Sequence, residues 1–166
     1  MSWFKKANKI SKNSIIRAIK KTLRTHAFFQ QLMDNYGVPN SDVDEHLKIT
    51  FMDLDKEFAK GNGEEIKLDI SLLQENFLKE NFHFVAHEFF HWIKRRSEAR
   101  FYFSDDEEIQ SFVVGIAWEL ISGKTDDIIR KTLLPIIAGH FQDETNAVRL
   151  YDEMCEKAKI IAKRYQ

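Results

Sequence analysis

A single cysteine, Cys155, excludes an intrachain disulfide and fits a chain that works in a reducing compartment. Two prolines and six glycines, set against 14 phenylalanines, exclude a low-complexity or disordered chain. Neither charge is in excess. The 25 basic and 26 acidic side chains leave a net charge of −1, which removes the electrostatic case for nucleic acid or an anionic membrane as the main partner. No apolar run is long enough to span a bilayer; residues 112–121 come nearest and are interrupted by Glu119. Met1-Ser2-Trp3-Phe4-Lys5-Lys6 lacks the apolar core of a secretion signal. These absences together read as a soluble, cytoplasmic chain.

What is present is apolar material for one core. The chain has 166 residues, 43% of them hydrophobic, which suits a single domain over residues 1–166. Ile15, Ile16, Ile19, Leu23, Phe28 and Leu32 recur at helical spacing, so residues 11–34 read as one amphipathic helix, stopping near Gly37 and Pro39. Its basic face, Arg17 to Arg24, is read as solvated surface rather than as a nucleic-acid face. Two period-two runs follow, Leu47/Ile49/Phe51 and Ile66/Leu68/Ile70/Leu72, with the turn signal Gly61-Asn62-Gly63 between them. Residues 74–96 hold no Gly or Pro and read as one long helix with a stripe of Leu78, Phe82, Val85, Phe89 and Ile93. A loop around residues 100–103 follows. Ser104 with Glu107 reads as a capping box that opens another helix, which ends at Gly123. Thr125 caps a further helix, which Pro135 should bend or break, and a last helix covers residues 144–163. The expected fold is α+β and mostly helical, with a small sheet packed on the helix of residues 74–96.

That helix carries His87-Glu88-Phe89-Phe90-His91. Two histidines four residues apart stand one above the other on a single helix face, where two imidazoles can share one tetrahedral ion. Glu88 projects beside such an ion rather than at it, in the place needed to take a proton from a metal-activated water. Zinc lowers the pKa of such a water to about 7. Random placement of this chain's histidines and glutamates would produce the pattern roughly 0.02 times, so a chance match is a weak explanation.

An open zinc site needs a third protein ligand. The segment Ser104-Asp105-Asp106-Glu107-Glu108-Ile109-Gln110-Ser111-Phe112 places carboxylates at the start of the next helix. Glu108 is preferred because it lies one turn before the core-facing Phe112. Glu107 is expected to point further round, toward solvent, and to serve the cap. Glu119 is a weaker candidate, and most of these acids suit a helix N-terminus in any case. His83, one turn before His87, is read as an outer-sphere group or a surface residue, with the plainer reading favoured. His140, Tyr102 and Tyr151 are candidates to stabilise an oxyanion, although a lone His140 is more often a loop or core residue. Cys155 is expected to be a buried structural thiol.

Residues 66–92, a strand, a loop and then Val85-Ala86-His87-Glu88-Phe89-Phe90-His91-Trp92, resemble the core of the zincin metallopeptidases. Glu108-Ile109-Gln110-Ser111-Phe112 resembles the Glu-Ala-Asn-x-Phe segment of ImmA/IrrE-type proteins, in which the Glu is the third metal ligand. The arrangement is thus gluzincin-like. It is also similar to small phage-encoded metallopeptidase-like proteins, in which Ser-Asp-Pro-Glu-Glu follows the HExxH helix; Asp106 stands here in place of that Pro. The resemblance implies a zinc peptidase acting on a peptide or protein substrate, with ligands His87, His91 and Glu108 and general base Glu88. Ser97 at the third-histidine position excludes the metzincins, and the spacing from His91 to Glu108 is shorter than in ImmA/IrrE proteins. The competing expectation is a catalytically silent zincin-fold module, structural or regulatory, such as a virion component. A third, weaker one is a nucleic-acid binder using Arg17 to Arg24 and Lys94-Arg95-Arg96.

Overall fold

The computed structural model describes residues 11–97 and 105–166. The fold is α+β and mostly helical, with eight α-helices and one three-stranded mixed sheet among these residues. No helix among them is long and apolar enough to cross a membrane. The loop of residues 100–103, with Phe101 and Tyr102, and the Ser104 half of the capping box lie outside the described residues.

The amphipathic N-terminal pattern forms two helices rather than one, α1 (Lys12–Thr25) and α2 (Ala27–Asn35). The break is at His26. Its backbone is extended, and its imidazole Nδ1 accepts a hydrogen bond from Phe28 N–H at 3.2 Å, giving α2 a side-chain cap. The hydrophobic period survives because Ile15, Ile19, Leu23, Phe28, Phe29 and Met33 are all buried. Gly37, at φ +65°, ends α2 in the left-handed conformation a Cβ disfavours. On the basic faces, Arg24 pairs with Asp44, Arg96 with Asp42 and Arg95 with Glu64. Asp42 and Asp44 belong to the short helix α3 (Asp42–Glu45).

The sheet contains β1 (Lys48–Met52), β2 (Ala59–Gly61) and β3 (Glu65–Asp69), in the order β1-β3-β2. β1 runs parallel to β3 with Ile49 opposite Ile66 and Phe51 opposite Leu68. β2 runs antiparallel to β3 and forms an edge. The chain therefore passes from β1 to the far edge and returns through Gly61-Asn62-Gly63. Asn62 Oδ1 accepts from the N–H groups of Glu64 and Glu65 there, with Gly63 at φ +77°. The second period-two run is shorter than its pattern. Asp69 Oδ1 accepts from Ser71 N–H at 2.9 Å, so Ile70 and Leu72 fall in a 3₁₀ turn (Ile70–Leu73).

The expected long helix also divides, into α4 (Glu75–Glu80) and α5 (Phe82–Ser97). Asn81 leaves helical geometry, and its side-chain amide donates to Phe77 O at 2.9 Å. α5 packs against α6 (Asp105–Ile121), which in turn packs on α8 (Glu144–Ala162). α7 (Asp126–Phe141) runs on through Pro135 instead of breaking there, at the cost of one ladder hydrogen bond. Thr125 stands at its N-cap without a side-chain bond. Phe29, Phe82, Phe89 and Trp118 form an aromatic cluster between α2, α5 and α6. Full burial of a ring such as Phe29 or Phe89 contributes about 1.5–3 kcal/mol, and this part of the core packs directly against α5.

Candidate metal centre

α5 is buried on almost every side, with Phe82, Val85, Ala86, Phe89, Phe90, Trp92 and Ile93 in the core. Its three histidines, His83, His87 and His91, are spaced by four and so share the face turned to α6. His87 Nε2 and His91 Nε2 are 3.3 Å apart. Glu108 reaches both, with Oε2 3.3 Å from His87 Nε2 and Oε1 3.1 Å from His91 Nε2. His87, His91 and Glu108 form the group that can share one ion among the described residues. A tetrahedral ion bound at about 2.0–2.1 Å holds its ligand atoms about 3.3–3.4 Å apart, a spacing the two imidazole nitrogens match. Glu108 meets them through different oxygens, and one atom from each of the three residues lies within 4.8 Å of the others, so the donors suit zinc in number and type.

Glu107 departs from its expected role. It is buried at 6% exposure, and His91 Nδ1 lies 2.7 Å from its Oε1. Consecutive residues of α6 thus act on opposite sides of one imidazole: Glu108 at Nε2, where an ion would sit, and Glu107 at Nδ1 behind it. In a neutral His91 that second contact would hold the proton on Nδ1 and leave the Nε2 lone pair for an ion. Ser111, one turn on, donates to Glu107 O at 2.8 Å and lies 3.1 Å from His91 Nε2. Sequence reasoning misses Ser111, because one buried serine in a helix carries no signal of its own.

The electrostatics follow the same contacts. Burial works against charge on Glu108, but hydrogen bonds from His87 and His91 outweigh it and hold the carboxylate far below its usual range. Burial would lower His91, yet its bonds to Glu108 and Glu107 raise it above 6.5. Glu88 differs from both. Desolvation raises its pKa, against the pull of His87 and His91.

A cleft of about 360 Å³ opens over the trio. One wall is the edge strand β2 with Phe58, and the other includes Phe84, Phe112, Ile136 and His140. His140 is neither loop nor core. It ends α7 half-exposed, with Nε2 3.7 Å from Glu108 Oε2. Tyr151 is excluded from the site, because its hydroxyl is bonded to Asp126 Oδ1 at 2.9 Å. Cys155 is buried beside that pair, and burial with the Asp126 contact pushes its thiol up to about 11, as suits a structural cysteine.

His83 is not a surface residue. It is 3% exposed, and its Nδ1 lies 2.7 Å from Glu119 Oε1. Lys124 pairs with the other oxygen of Glu119, which accounts for Glu119 without a metal. Comparison with protein-family models, with curated proteins and with solved structures found no match.

Proposed function

We propose that this chain is a zinc-dependent peptidase of the zincin type, with His87, His91 and Glu108 as metal ligands and Glu88 as general base. The observation that carries the reading is the convergence of these three donors, one ligand atom from each within 4.8 Å of the others, in an open cleft. A bound zinc ion would polarise a peptide carbonyl and acidify a water beside it. Glu88 takes the proton of the attacking water and delivers it to the leaving amine. Its desolvated carboxyl, with a pKa shifted upward, is suited to both transfers. Glu107 keeps His91 in its ligating tautomer, and His140 stands where a donor to the developing oxyanion is needed. The substrate lies extended along β2. Asp69 N–H donates to Phe58 O across the antiparallel pair, so by alternation the backbone groups of Ala59 and Gly61 face the free edge.

The rival reading, a non-enzymatic module, calls for a fourth side chain that closes the site. The group able to share one ion has three members among the described residues. A cytoplasmic location belongs to the same proposal and rests on the single, buried cysteine. The test is cleavage of an unfolded protein such as casein by the zinc-loaded chain. Activity that is abolished by a chelator and restored by zinc supports the reading; inertness of the zinc-loaded protein toward a panel of unfolded substrates contradicts it.

A further inference from the structure

We infer that Gly61 is a positioning residue for Glu88: the edge strand runs so close over the Glu88 carboxylate that only a residue without a side chain leaves room for it. This inference rests on the peptidase reading for its kinetic consequence, but its geometry stands alone. A Cβ placed on Gly61 would collide with Oε2 of Glu88 and lie 3.3 Å from its Cδ. Gly61 has no backbone need to be glycine. Its φ is not among the positive values of Gly37, Gly63 and Gly123. The missing side chain is therefore explained by Glu88 and not by a turn.

β2 supports the assignment. Successive strand residues point to opposite faces, so Ala59 and Gly61 share the face turned to α5 while Lys60 is exposed on the other. The strand thus presents its two smallest residues to the helix that carries the motif. Gly61 also lines the cleft beside Glu88, His87 and His91. The strand that would pair with substrate is then the one that confines the general base.

Gly61→Ala separates this role from a structural one. The clash is with the far end of a flexible side chain, so the chain can relieve it by turning Glu88 to another rotamer. Zinc content should stay at the wild-type level, since Glu88 is not a ligand. Thermal stability should not fall, because alanine also restricts the unfolded chain. kcat on casein should drop on the order of a hundredfold with KM little changed, the cost of a displaced catalytic group. Crystal structures of wild type and Gly61→Ala should show Glu88 in different rotamers. If Gly61→Ala proves unstable, the loss should vanish in a Glu88→Ala background, where the colliding atoms are gone. Three results would overturn the inference: Glu88 keeping its wild-type rotamer in the Gly61→Ala structure, a kcat within about twofold of wild type, or an equal loss of stability with and without the Glu88 side chain. A wild type that cleaves nothing would end the peptidase reading alone, and the rotamer comparison would still decide for or against Gly61.

Discussion

At one end of the α5–α6 interface His83 meets Glu119; about two turns further along α5, His91 meets Glu107 and Glu108. Both ends use the same residue types from the same two helices, at the same 2.7 Å for the His83–Glu119 and His91–Glu107 contacts. They differ in what completes them. At the first end the second oxygen of Glu119 goes to the ammonium of Lys124, and the side chains of His83 and Glu119 are 4% exposed. At the second end the completing group is another imidazole, His87, and the donors face a cleft. A cation already in place makes a closed clamp between helices, whereas a second imidazole beside open space leaves a group that could hold an ion. Histidine and glutamate in contact therefore do not specify a metal site; the third group and the space in front of it do.

The sharpest way to break this contrast acts on the open end. Glu88→Gln should lower turnover by about 10²–10⁴-fold, the range for loss of a general base, while zinc content stays unchanged. Steady-state kinetics beside metal analysis would check it, and loss of zinc with the activity would place Glu88 among the ligands. The matching change at the closed end is Glu119→Ala. It leaves Lys124 and buried His83 uncompensated and should cost about 3–5 kcal/mol in urea unfolding, with zinc stoichiometry intact. Zinc loss in that variant would mean that the two ends are not separate devices.

Glu107→Gln sharpens the comparison within the open end. It keeps the shape but removes the charge behind His91, and should weaken zinc affinity by about 10–100-fold in a chelator competition. The smallest effect expected is that of pH. The depressed pKa of Glu108 gives stability that is present above about 4.5 and lost on acidification through its folded value. The raised pKa of His91 gives stability that is present below about 6.5 and lost as pH rises through its folded value. For this pair the metal-free protein is most stable between those limits. Zinc requires neutral imidazole, so adding it should move the optimum to higher pH. Melting curves across pH, with and without zinc, would show the displacement.

The open end is legible in the sequence because its signal is local. His87, Glu88 and His91 lie on one helix, where spacing alone fixes geometry, and Glu108 is the carboxylate that the sequence prefers, being one turn before the core residue Phe112. Glu107 escapes this reasoning because helix phase places neighbouring residues about 100° apart, and only the packing of α6 on α5 shows that both directions are occupied. The closed end is not legible. His83, Glu119 and Lys124 are far apart in sequence, and a lone histidine one turn from a motif reads as surface. β2 escapes for a similar reason: three residues, one of them glycine, carry no period, and its existence depends on pairing with β3. The division of two long helices at His26 and Asn81 is hidden because the hydrophobic period continues across each break, while the interruption comes from side chains that bond to backbone.

Metal content tests the central claim most directly. The protein would be purified without a histidine tag or added metal, beside the double variant His87→Ala/His91→Ala, and assayed by elemental analysis. The account predicts about one zinc per chain in the wild type, lost in the double variant, since the described residues offer one group of three donors. A wild type that carries no zinc and takes up none when it is supplied would contradict it.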